Sequence, residues 1–106
     1  MVSQQAFKKM ALSFTNTEEL PHFHLLSYRY KKKIFATLWE KENKVMIRLP
    51  VNDQFVYHSL DEKTFYPVPG IWGTRGSTFV ELKTVSAKLL KECLSLGYAG
   101  LQKKSK

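Results

Sequence analysis

Only one cysteine, Cys93, stands in the 106 residues. That excludes an intramolecular disulfide and a thiolate metal cluster within one chain, and a reducing cytosol is the compartment it fits. Acidic residues are scarce as well, with 9 Asp and Glu against 17 Lys and Arg and a net charge of +8. No stretch approaches the ~18 apolar residues of a membrane span, and Met1 to Lys9 lacks the apolar run of a secretory signal. A cytoplasmic protein is expected. The basic residues fall in strand patterns, not on a basic amphipathic helix, so no membrane partner is expected either. Phosphate-cradling glycine loops, dinucleotide fingerprints and the Gly-x-Ser-x-Gly elbow are all missing. Neither a cofactor nor an enzymatic activity is therefore expected.

What is present is enough for one core. Hydrophobic residues make up 43% and aromatics 13% of the chain, far from the polar compositions that stay unfolded. The length suits a single domain, since independent cores need on the order of 100 residues each. Residues 1–102 read as that domain and 103–106 as a basic tail.

Ser3 can cap a helix whose stripe is Ala6, Phe7, Met10, Ala11 and Phe14. Asn16 and Pro21 break that period, and β-type runs follow: Tyr28 to Tyr30, Ile34 to Trp39, and Val45, Ile47 and Leu49 alternating with polar neighbours. Lys31-Lys32 would join the first two of these runs, a poor choice for a two-residue turn because both positions need φ > 0, so a longer turn is expected. Asn52 or Asp53 could cap a short helix carrying Phe55, Val56, Ser59 and Leu60 inward. Phe65 to Gly70 must be extended, because each proline biases its predecessor away from the helical region. Ser77 to Leu82 alternates as a further strand, and Thr84 or Ser86 caps a leucine-rich closing helix. The expected fold class is α+β in the order α-β-β-β-α-β-α, an antiparallel sheet with helices packed on it.

The positive charge is segregated. Ser27 to Leu49 holds Arg29, Lys31, Lys32, Lys33, Lys41, Lys44 and Arg48 against Glu40 and Glu42, a surplus of five, and Lys103, Lys104 and Lys106 complete the +8. A segregated field attracts polyanions. The candidate nucleic-acid contacts are Arg29, Lys31, Lys32, Lys33, Lys44 and Arg48 on phosphates, with Tyr28 or Tyr30 stacking on a base. Strand alternation sets Arg29, Lys31 and Lys33 opposite Tyr28 and Tyr30. The bland reading is a solvated, lysine-guarded sheet edge.

Trp72 and Arg75, between the glycines of Trp72-Gly73-Thr74-Arg75-Gly76, could form a wing that enters a groove; the other reading has Trp72 folding back to plug the core. Trp39, at a strand end, reads as core or a partial lid. His22 and His24 share one face if extended, yet no third ligand accompanies them and no metal is assigned. Cys93, in an apolar helical stripe, reads as inert packing.

The stretch Tyr30-Lys31-Lys32-Lys33-Ile34-Phe35-Ala36-Thr37-Leu38, the Arg48-Leu49 strand end, the loop Tyr66-Pro67-Val68-Pro69-Gly70-Ile71-Trp72-Gly73 with Thr78-Phe79-Val80-Glu81-Leu82 after it, and the closing leucine-rich helix resemble the MmcQ/YjbR family. The likeness runs from Ala11 to Leu101. Members are small bacterial cytosolic proteins commonly labelled DNA-binding, and the resemblance implies a compact α+β fold likened to the double wing of some transcription factors. The chain departs from the pattern at Lys31-Lys32, where many members have Gly or Asn. It departs again at Pro69-Gly70-Ile71, where many have His or Asn-Lys before the tryptophan. DNA is thus the expected partner. The rival expectation is a protein-interaction or self-association domain using Tyr28, Tyr30, Trp39 and Tyr57, and homo-oligomer formation stays open.

Overall fold

The structure, a computed structural model, describes residues 1–104. Helix α1 spans Gln4–Leu12, strands β1 to β4 span Thr17–His22, Leu25–Tyr30, Lys33–Trp39 and Lys44–Arg48, and α2 spans Val51–Leu60. β5 (Phe65–Pro67), the single turn α3 (Ile71–Thr74), β6 (Ser77–Glu81) and α4 (Ala87–Lys104) complete the chain. All six strands pair antiparallel in the order β1-β2-β3-β4-β6-β5. The α+β class and the expected framework hold, with β1, the short edge strand β5 and the turn α3 added to it.

Local chemistry explains most boundaries. Ser3 Oγ accepts from the Ala6 amide at 3.0 Å, and Ser86 Oγ from the Leu89 amide at 3.2 Å, each satisfying an orphan donor at a helix start. Pro50 precedes α2 with no side-chain cap, so neither Asn52 nor Asp53 has the capping place expected of it. The Lys31-Lys32 connection is tight after all. Both residues take the left-handed region, φ 49° and 69°, the backbone that matches the twist of a hairpin whatever the side chain prefers.

α1, α2 and α4 pack on one face of the sheet. Phe7 meets Tyr28 edge-on at 5.2 Å, Tyr57 meets Phe65 at 5.2 Å, and Tyr98 packs edge-on against both Tyr30 and Phe35. The core they close includes Phe7, Tyr28, Phe35, Leu38, Val45, Ile47, Val80, Leu90 and Leu94, all fully buried. Pairing slips between Tyr28↔Ala36 and Arg29↔Ile34, leaving Phe35 as the extra residue of a bulge. At Gly97, α4 approaches so closely that an added Cβ would lie 3.1 Å from Ile47 Cγ2 and 3.2 Å from the Arg48 carbonyl oxygen.

The second helix is turned the other way from expectation. Gln54 and Tyr57 are its buried residues, while Phe55, Val56, Ser59 and Leu60 are exposed. The reason is a specific polar anchor: Gln54 Nε2 donates to the Gly73 and Ser77 carbonyls and to Thr78 Oγ1, at 2.9, 3.2 and 3.1 Å. Tyr57 Oη donates to Glu92 Oε1 at 2.7 Å, fastening α2 to α4.

Candidate nucleic-acid interface

No helix longer than α3 covers the other face of the sheet, and Arg29, Trp39, Arg48 and Trp72 stand there, whereas Arg75 opens onto a recess beside α4 at the end of the strands. Strand alternation decides which side chains arrive. Arg29 stands beside Ile34 across one strand pair, and Arg48 beside Ser77 across another. Arg29 Nε donates to Ser27 Oγ at 2.9 Å, and Ser27 Oγ donates to the Leu20 carbonyl at 2.8 Å, so the guanidinium is held from beneath. Trp39 Nε1 likewise donates to Thr37 Oγ1 at 3.0 Å.

Three recesses meet at Arg48. The first, about 300 Å³, is largely apolar, with Ile34, Met46, Trp39, Val68 and Trp72 among its walls. The second, about 520 Å³, is lined by Arg29, Lys32, Lys33, Arg48, His22 and Ile34, together with Leu101. The third, about 410 Å³, joins Arg48 to Arg75 along Leu49, Gly97 and Gly100. Arg48 thus bridges a cationic rim, an aromatic slot and a second arginine. Lys31 occupies the adjoining turn and is exposed.

The loop carrying Trp72 and Arg75 packs closely against its neighbours because glycine permits contacts no side chain could. A Cβ on Gly73 would lie 1.9 Å from the Val68 oxygen, and one on Gly76, at φ 108°, would lie 2.0 Å from the Leu49 oxygen. Trp72 is 58% exposed, so it does not plug the core. Its ring forms one wall of the apolar slot instead.

Two candidates stand elsewhere. Tyr30 is 9% exposed and lies on the helix side, edge-on to Tyr98 at 5.1 Å, so its ring is not offered to a base; Tyr28 is buried entirely. Burial and the hydrogen bond it donates to Glu19 push the Tyr28 phenol far above its ordinary range. Lys44 sits four residues from Arg48, about 13 Å along the strand, with Nζ 3.9 Å from the Phe79 ring centroid and further rings of Trp39 and Tyr66 around it. Its cation is engaged by aromatic faces. With Tyr28, Tyr30 and Tyr57 buried, the aromatic interaction surface expected from those residues and Trp39 does not form.

The other sequence candidates also have places. Phe23, at φ 58°, turns the chain between β1 and β2, so His22 and His24 do not share an extended face. His22 borders the cationic recess, and the His24 ring stands 6.2 Å from that of Trp39. Among the described residues no three His, Cys, Asp or Glu group to hold a metal ion. Cys93 is buried, and burial with Glu92 and Asp53 nearby pushes its thiol up to about 12, as inert packing requires. No helix among the described residues is long and apolar enough to cross a membrane. The basic tail of 103–106 falls outside the residues whose side chains are described.

Sequence reasoning missed Gln54 and Val68. A lone glutamine in an apolar helical pattern gives no hint that its amide organises the loop opposite, and Val68 reads only as a spacer between prolines.

No protein-family model matches the chain, and no curated protein matches it. Among solved structures, the crystal structure of the Deinococcus radiodurans protein DR2400, with a domain of the DUF419 family model, superposes with a TM-score of 0.87. The match covers 100% of this chain and 83% of that one at 16% identity. This likeness establishes the fold, a small α+β domain also found in that bacterial protein.

Proposed function

We propose that the chain is a non-enzymatic nucleic-acid-binding module, with DNA as its partner, working through the open face of its sheet and the adjoining strand end where Arg75 lies beside α4. The supporting observation is the meeting at Arg48 of Arg29, Lys32 and Lys33 on one side and Arg75 on another, beside a slot walled by Trp72. The resemblance to the MmcQ/YjbR family, commonly labelled DNA-binding, points the same way. Phosphates of the backbone lie against the five cations, which position the strand, while the indole of Trp72 offers a face for a base or sugar. Lys31 adds charge at the turn tip. Tyr30 and Lys44 are left out of this surface, the first as core and the second as a cation already held by rings.

Neutralising about five phosphates gives a slope of roughly −4 to −5 for log K against log salt. Fluorescence anisotropy of a labelled duplex, titrated at several salt concentrations, measures it. Absence of binding at low salt, or a slope near zero, rejects the proposal.

A further inference from the structure

The slot walled by Trp39 and Trp72 suits a flat apolar group, and the cations beside it suit an anion. Its volume is about 300 Å³, at the small end of ligand pockets and room for one ring system. The aromatic walls are set before anything binds. Trp39 Nε1 donates to Thr37 Oγ1 at 3.0 Å, and the indole stands edge-on to Phe79 with 5.0 Å between centroids. Trp72 comes from the loop that Gly73 lets lie against Val68, and Ile34 and Met46 add apolar surface. Walls already ordered lose little freedom when a ligand enters. The slot and the cationic recess have His22, Ile34 and Arg48 in common, so the two form one continuous depression. Among the described residues no Asp or Glu lines either part, and Glu18, across from Arg29 in the pairing of β1 with β2, lies outside both.

We infer that this depression holds one nucleotide of an unpaired strand, its base in the slot between Trp39 and Trp72 and its phosphate on Arg48, so that the chain selects single-stranded over duplex DNA. The inference rests on the nucleic-acid binding proposed for this face and goes further by naming the form of the strand. A nucleotide joins a flat base to an anionic phosphate through one sugar, and the depression joins an apolar slot to a guanidinium in the same order. A phosphate does not suit the slot, because its charge would give up water without gaining a partner. A paired base does not reach it either, since stacked neighbours cover its faces and only its edges open onto the grooves. Extruding that base from a duplex forfeits both its pairing and its stacking. An unpaired base brings its face at no such cost, and every base has one, so the slot is tolerant of sequence. An apolar peptide side chain would fill the slot but bring no anion to Arg48.

Fluorescence anisotropy with three labelled oligonucleotides of about eight nucleotides tests the inference: a single strand, the same strand paired with its complement, and a strand of equal charge whose central bases are replaced by abasic sites. At about 0.2 M salt the single strand is expected to bind about tenfold or more tighter than the duplex, the effect of one stacked base. That ratio widens as salt rises, because the ionic part falls faster for a duplex, with a slope of about −0.9 per phosphate against about −0.7 for a single strand. The abasic strand is expected to bind about tenfold more weakly than the strand with bases. Tryptophan emission is quenched by the strand with bases and not by the abasic one. Trp72→Ala, at an exposed position, brings the affinity for the strand with bases down to that for the abasic strand, with circular dichroism unchanged. Equal binding of abasic and base-bearing strands overturns the inference, as does a duplex bound as tightly as the single strand at 0.2 M salt and above; either result, obtained with a salt-dependent affinity, leaves nucleic-acid binding itself standing. Failure of all three oligonucleotides to bind at low salt rejects nucleic-acid binding and the inference with it.

Discussion

Gln54 Nε2 donates to the carbonyl oxygen of Gly73 at 2.9 Å, joining the second helix to the loop that presents Trp72. The same amide serves the Ser77 oxygen and Thr78 Oγ1, so its two hydrogens are shared among three buried acceptors. Gln54→Leu keeps the volume and removes this donor from acceptors that each keep a second partner, the Gly73 and Ser77 oxygens keeping the amides of Gly76 and Val68 and the Thr78 hydroxyl keeping the Gly76 oxygen, a loss of about 1–3 kcal/mol at roughly 0.5–1.5 kcal/mol for each of its two hydrogens. Urea denaturation reads the loss. A fall below about 0.5 kcal/mol would show that the amide only fills space.

Removing charge from different ends of one strand separates the proposed contacts from bystanders. Arg48→Gln is expected to weaken DNA binding about tenfold and to reduce the salt slope by about 0.9, the share of one phosphate. Lys44→Gln, at the far end of the same strand and facing Phe79, leaves both nearly unchanged. Anisotropy titrations of the two variants side by side decide the matter, and equal losses would place the strand elsewhere on the sheet.

The Lys31-Lys32 turn sets stability against charge. Each lysine holds a left-handed backbone that costs about 1–2 kcal/mol for an ordinary residue, and Asn-Gly suits that geometry. Replacing the pair by Asn-Gly therefore raises the urea midpoint, by about 1 kcal/mol or more in free energy, while weakening DNA binding through the two lost cations. Opposite signs in the two measurements are the expected result.

Three tyrosines, Tyr28, Tyr57 and Tyr66, donate to the carboxylates of Glu19, Glu92 and Glu81. Burial first, and the carboxylate partner second, raise all three phenols, that of Tyr66 from 10.0 up to about 12. A group whose pKa is raised on folding contributes fully below its unfolded value and loses that contribution as pH rises through its folded one. Stability is therefore level up to about pH 10 as far as these groups act, and falls from there through pH 12. Circular dichroism and tyrosinate absorbance followed together should change in one step. Tyr66→Phe reduces the alkaline loss.

Much of the frame was legible because its signals are local. Ser3 and Ser86 cap the helices they precede, the alternation of Val45, Ile47 and Leu49 marks a strand, and the apolar stripe around Cys93 marks a buried helix face. The errors come from long-range choices. Glu18 and Pro21 give β1 little strand character, and it forms because the edge of β2 needs a partner. The orientation of α2 followed its apolar residues on paper, whereas in the fold one glutamine reaching acceptors on another strand decides it. For the site, alternation placed Arg29 opposite Tyr30. Spacing said nothing of Arg75 reaching the vicinity of Arg48, which depends on two glycines letting the loop pass against Val68 and Leu49.

Because the three long helices share one side of the sheet, residues such as Met46, Ile34 and Trp72 on the other side are released from most packing constraints. Substitution there can alter what the molecule recognises while the interior stays intact, whereas change on the helical side must be matched by neighbours at once. Such a division separates the side chains free to vary from those that hold the interior together.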